Sequence, residues 1–218
     1  MSVYSPKAFI QNDPHSVQQF MVAYPFATLV INTPAGLDST AIPFILRVND
    51  AVSTTSQWTL AGHIPKANKM WNTANIAEPA LVIFHGPNHY ISPNWYPSKK
   101  TDPRVVPTWN YAAVHVTGQL SFYHNNAWKY EQLVELTNQQ ERGQEHPWQV
   151  SDAPEDYIDK LMNAIVGIEI SVDTLQGKFK LSQNQPDINK AALHTHLTRE
   201  NPAMAALMTD IELGADCI

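Results

Sequence analysis

The segment VPTWNYAAVHVTG, residues 106–118, sets the reading of the fold. Val114, Val116 and Thr117 suit a pleated, half-buried surface, so the stretch reads as a β-strand. Its first half carries Trp109, Asn110 and Tyr111 where a plain core strand carries valines. Neighbouring strand residues face opposite sides. Trp109 and Tyr111 therefore share one face, and Thr108 and Asn110 share the other with Ala112 and Val114. One face is expected to pack inward and the other to border a cleft; the sequence leaves open which is which.

Working outward, YPFATLVIN (24–32) and LDSTAIPFILRV (37–48) read as a hairpin across the turn signal TPAG, and QWTLAGHI (57–64) as a third strand. PKANKMWNTA (65–74) reads as a short helix with Pro65 in its first turn. PALVIFHGP (79–87) is a strand with a turn behind it, and the proline-rich 89–107 is mostly loop. LSFYH (120–124) continues the strand at 108–118 or pairs with it. Helices are expected at 127–143, stopped by Gly143, and at 151–165, opened by a capping box of Asp152 and Glu155. Residues 166–181 alternate as strand with a turn inside, and two proline-led helices end the chain. Strands dominate the first half and helices enter late. That pattern predicts a mainly β fold, a small barrel with peripheral helices, and not alternating βαβ units.

The chain has 218 residues, 44% of them hydrophobic, which is enough for one large domain with a core. Only 16% are charged, and the net charge is −6. An acidic balance argues against broad nucleic-acid binding, which rests on neutralising phosphates with Lys and Arg. The single cysteine, Cys217, excludes an internal disulfide and fits a reducing compartment. No apolar run approaches the length that spans a bilayer, and the first residues lack the stretch of a signal peptide. A soluble, cytoplasmic protein is the expectation.

Phosphate-cradling glycine motifs and the GxSxG elbow are absent from the sequence. The nine histidines show no HExxH and no Cys partners, so no metal site is assigned. Three segments concentrate chemistry. GHIPKAN (62–68) sets Lys66 and Asn68 where a strand gives way to a helix, whose free N–H groups suit an anion. YISPNWYPSK (90–99) crowds aromatics, hydroxyls and a lysine into a loop. GKFKLSQNQ (177–185) supplies Lys178, Lys180, Ser182, Gln183 and Asn184. As a strand end, KLSQN turns Lys180, Ser182 and Asn184 to one side, and replacing Ser182 and Asn184 is expected to leave ligand-free stability unchanged. The three segments together suit a flat, polar-edged ligand with a phosphate, a flavin mononucleotide (FMN) among several nucleotides.

These motifs, with PFATLV, IFHGPNHYISPNWYPSK, VPTWNYAAVHVTG and AIVGIEI, resemble the successive motifs of the PaiB family, the FMN-binding negative transcriptional regulators. The resemblance runs from about residue 4 to about residue 190. It implies an FMN-binding split β-barrel of the pyridoxamine-phosphate-oxidase-like type in residues 1–190, with 191–218 as a C-terminal helical extension. It further implies a cytoplasmic homodimeric flavoprotein with FMN in clefts at the dimer interface, acting as a transcriptional regulator or a flavin-dependent redox protein. A haem-binding split barrel is the alternative, and DNA is a partner only by the family's name. The residues that match the family's pattern, and so are the expected cofactor-binding set, are His63, Asn68, Ser92, Trp95, Tyr96, Lys99, Thr108, Trp109, Asn110, Lys178, Lys180, Ser182, Gln183 and Asn184. Lys66 joins them where the family usually has Arg, keeping the charge without the bidentate fork. Gln185 stands where the family often has Arg. No catalytic base or nucleophile is assigned, because flavin chemistry is largely the cofactor's own.

Overall fold

The computed structural model describes residues 4–48 and 58–215; Gln57 and Cys217 lie outside the described residues. Eight strands are described: β1 (Ile10–Gln11), β2 (Phe26–Thr33), β3 (Gly36–Pro43), β4 (Ile45–Arg47), β5 (Thr59–Pro65), β6 (Ala80–Ile91), β7 (Thr108–Tyr123) and β8 (Ile165–Lys180). They form one sheet in the order β3-β2-β6-β7-β8-β5-β4, with β1 on β8. The helices are α1 (Pro14–Ala23), α2 (Met70–Thr73), α3 (Asn126–Glu141), α4 (Glu155–Asn163), α5 (Asp187–Glu200) and α6 (Pro202–Ala215). The architecture is mainly β with peripheral helices, as the patterning predicts. The chain divides into two compact units. Unit 1 comprises residues 1–17, 85–114 and 176–218, and unit 2 comprises 18–84 and 115–175. The three longest strands each give a stretch to both.

Unit 2 holds the antiparallel pairs β2–β3, β2–β6, β4–β5 and β5–β8. Ala27, Leu29 and Ile31 alternate inward along β2, and Leu60, Ile64, Val82, Phe84, Ile168 and Ile170 are also buried. The β2–β3 hairpin closes through Thr33, which pairs with Gly36. Gly36 takes φ +114°, a conformation open to glycine and costly for other residues. In unit 1, Ile91, Tyr96, Ala112, Val114, Phe179 and Leu181 are buried, along with Leu193, Leu197, Met204 and Met208 of the two last helices.

Several sequence expectations change. The run 37–48 is two strands, broken at Phe44. β6 passes straight through Gly86 and Pro87, where a turn was expected; β2 pairs only as far as Phe84, so proline's missing N–H leaves no bond to β2 unmade. β8 likewise has no internal turn. Gly177 sits opposite Gln11, and a Cβ there would lie 2.5 Å from the Gln11 carbonyl oxygen, so the glycine serves close strand approach. Pro65 ends β5 instead of opening a helix, and α2 is only four residues long. Asp152 lies in a separate 3₁₀ turn, where its carboxylate accepts the Gln149 backbone N–H at 2.9 Å; it does not cap α4.

Candidate functional site

In unit 1, three of the motif segments meet. Two short 3₁₀ turns, Pro93–Trp95 and Pro97–Lys100, follow in succession, and Ser92 caps the first by accepting the Asn94 N–H at 3.2 Å. Lys99 Nζ donates to Asn94 Oδ1 at 2.6 Å, and a pocket of about 470 Å³ is lined by Asn94, Trp95, Tyr96, Pro97, Lys99 and Lys100. That volume falls in the range of small-molecule sites. Tyr96 is buried, which raises its phenol above the ordinary value, and a hydrogen bond with Ser182 opposes the rise.

Ser182 is also buried and takes φ +62°, so the strand ends at Lys180 and the expected alternation through Asn184 fails. Its hydroxyl donates to Asn110 Oδ1 at 2.9 Å. Asn110 is 0% exposed, and its Nδ2 has no hydrogen-bond partner. Gln183 folds back on its own chain, accepting from Leu181 N at 2.8 Å and donating to Phe179 O at 2.6 Å. Asn184 is exposed.

The opening strand now divides by face. Asn110, Ala112 and Val114 point inward with Val116, whereas Trp109 is 54% exposed. Tyr90 meets Trp109 edge to face at 6.2 Å. Lys180 donates to the Trp109 carbonyl at 2.7 Å and to the Thr108 hydroxyl. Burial, and then the neighbouring Lys178, hold the Lys180 ammonium below the usual lysine range. Lys178 donates to Tyr4 O at 2.8 Å and lies 5.5 Å from the Tyr111 ring centroid. This face offers aromatic rings bordered by cations, a donor set that suits a flavin ring and an anionic group.

His63, Lys66 and Asn68 lie in unit 2. His63 Nδ1 is 2.8 Å from Gln132 Oε1 on α3; with that oxygen as acceptor, Nδ1 carries the proton. Burial holds His63 below the ordinary histidine value, and the Gln132 bond opposes the shift. Lys66 is exposed, its backbone N–H donating to Ala164 O at 2.7 Å. Asn68 Oδ1 accepts the Met70 N–H at 3.0 Å, so the start of α2 is already capped by a side chain. The expected helix N-terminus beside Lys66 is therefore absent; the lysine stands in a turn before a single helical turn.

Sequence reasoning missed Gln132, Lys129 and Asn189. Lys129 and Gln132 occupy the buried side of α3, where Lys129 Nζ donates to Met162 O at 2.5 Å. Residues three apart share one side of a helix, and that spacing was the available signal. Among the described residues no group of three His, Cys, Asp or Glu side chains is placed to hold a metal ion. Among these described residues no helix is long and apolar enough to cross a membrane.

Residues 3–174 match the family described as "Putative FMN-binding domain". The chain belongs to this family. FMN is therefore its cofactor, and the resemblance read from the motifs is met. This FMN-binding chain is 29% identical over 212 residues to the protease synthase and sporulation protein PAI 2 of Bacillus subtilis, covering 95% of this chain and 97% of that one. It is 35% identical over 210 residues to an uncharacterized protein of Aspergillus fumigatus, covering 77% and 80% of the two chains. Among solved structures it is similar to the flavocytochrome Anf3 from Azotobacter vinelandii, with a TM-score of 0.57, 14% identity and coverage of 84% and 75%. It is also similar to the FAD and heme binding protein from Mycobacterium smegmatis, with a TM-score of 0.54, 14% identity and coverage of 85% and 79%. The fold of this FMN-binding family member is a split β-barrel.

Proposed function

We propose that the protein is a homodimeric flavin-dependent redox protein, with the exposed aromatic and lysine face of unit 1 serving the flavin. The observation that carries this reading is the Tyr90–Trp109 pair, held open to solvent while Lys180 grips the Trp109 carbonyl. When bound, FMN supplies one- and two-electron chemistry. The chain's own part is to seat and orient it. Trp109 and Tyr90 present ring surface, Lys178 and Lys180 present positive charge, and the buried Tyr96–Ser182–Asn110 seam keeps the segments that bear them in register. The low charged fraction and exposed aromatics support pairing of two copies, since obligate interfaces of this kind commonly bury more than about 2,000 Å².

One preparation tests the reading. Protein incubated with FMN and desalted is expected to keep a flavin absorbance spectrum, and light scattering at micromolar concentration is expected to give twice the chain mass. The Trp109→Ser, Tyr90→Ser double variant is expected to lose the flavin. A Soret band on haem addition that a His→Ala variant abolishes would favour the haem-binding alternative. A monomer would remove the dimer.

A further inference from the structure

The family match ends at residue 174, and α5 lies wholly beyond it. Yet α5 grips the loop that carries Trp95, Tyr96 and Lys99, and it does so with directional contacts. Asn189, 1% exposed, uses both ends of its amide on one residue. Its Oδ1 accepts the Ser98 N–H at 3.3 Å, and its Nδ2 donates to Ser98 Oγ at 2.9 Å. About two turns further on, the His196 ring stacks on Trp95 at 5.0 Å with the planes 13° apart. His89 stacks on the same indole at 5.9 Å, and its Nε2 lies 3.2 Å from Glu200 Oε2 at the end of α5. Asn201, just past α5, donates to Asn88 O at 3.2 Å.

A helix that merely completes a core would meet the loop with apolar side chains. The apolar side chains buried on α5 are Leu193 and Leu197, and α6 buries Met204, Ala205 and Met208. What reaches the loop is instead a bidentate amide and a stacked imidazole, which fix position and orientation more than they supply burial energy. The segment they hold, Asn94 to Lys100, lines the pocket of about 470 Å³.

We propose that Asn189 and His196 are positioning residues of the flavin site, and that α5 sets flavin affinity by holding the 92–100 loop in its binding geometry. This rests on the reading that the loop belongs to the flavin site. The chemistry that reaches the ligand is the loop's own; α5 acts only through it.

The test uses the full chain carrying His196→Ala, Asn189→Ala or the conservative His196→Phe, which keeps a stacking ring. Two quantities are read: amide hydrogen exchange of residues 92–100 without flavin, and the FMN dissociation constant. Loss of one such contact is expected to raise both by about tenfold in the two alanine variants. His196→Phe is expected to restore both. His196 is exposed, so its variants keep the test open if Asn189→Ala fails to fold. Unchanged loop exchange overturns the proposal outright. Faster exchange with unchanged FMN affinity shows that α5 holds the loop but that the loop lies off the flavin site, which overturns the proposal through the reading it rests on. Weaker FMN binding with unchanged exchange also overturns it, since the effect then does not pass through the loop.

Discussion

His63 is a residue whose chemistry is changed by its surroundings. Its Nδ1 is turned to a fully buried Gln132, and burial disfavours its charged form. The unfolded chain therefore binds a proton at this position before the folded chain does. Stability is expected to fall as pH drops below the ordinary histidine value of about 6.5, because the unfolded state there holds more protons. His63→Gln removes this contribution. Its denaturation midpoint is expected to change less than that of the wild type between about pH 7.5 and 5.5; equal changes would show that His63 does not carry the dependence. Ser182 is a second such residue. The sequence suggests a strand end that turns Ser182 toward a ligand, so that its loss is harmless without one. The structure places the hydroxyl in the interior, bonded to an Asn110 whose other amide atom already lacks a partner. Ser182→Ala strands Asn110 Oδ1 as well, and is expected to cost about 1–3 kcal/mol, read as a lower melting temperature of the flavin-free protein. An unchanged melting temperature would return the segment to the surface.

At the scale of elements, glycines decide how closely strands approach. Gly118 of β7 faces β8, and a Cβ there would sit 2.1 Å from the Ser171 carbonyl oxygen and 2.8 Å from Ile170 Cγ2. The obstacle is backbone, which cannot rotate away as a side chain can. Gly118→Ala is expected to destabilise by at least the 1–3 kcal/mol typical of overpacking, roughly, as measured by urea unfolding; a neutral substitution would mean the strands separate freely. The same geometry explains what the sequence disclosed. Alternation in 108–123 was readable because side-chain period follows from strand geometry alone. Gly86, Pro87 and Gly177 were misread because a glycine or proline signals a turn locally, whereas here its meaning depends on a strand distant in sequence. The length of α2 was overread for a similar reason: residues 66–69 form a turn instead of a helix, with Lys66 N–H spent on Ala164. For the site, the aromatic loop and the KLSQN segment stood out by composition, and the resemblance tied them together. Asn189 and Gln132 did not stand out. A single amide on a helix looks like surface until its partner, 91 residues away for Ser98 and 69 for His63, is known.

Across the whole molecule, charge is divided unevenly. Unit 2 carries 13 acidic residues against six basic ones, and unit 1 carries seven against eight. A surface that binds DNA through its phosphates needs several unpaired cations, each adding to the salt dependence of binding. In unit 1, Arg104 is tied to Asp102 at 2.8 Å and Lys190 to Asp187 at 2.9 Å. Lys178 and Lys180 are engaged with Tyr4 and with the start of β7. In unit 2, Arg47 bridges Glu135 at 2.8 Å and Glu169 at 3.2 Å, and the acidic side chains of α3 and α4 would repel a phosphate backbone. The lysines that remain suit one small anionic ligand better than a duplex carrying a charge every 1.7 Å or so along its axis. The purified protein is expected to leave a promoter-length duplex unshifted at low salt, with or without FMN. A retarded band whose affinity falls steeply with added salt would mean that these cations form a phosphate-binding surface after all, and would move the protein from a redox to a DNA-binding reading.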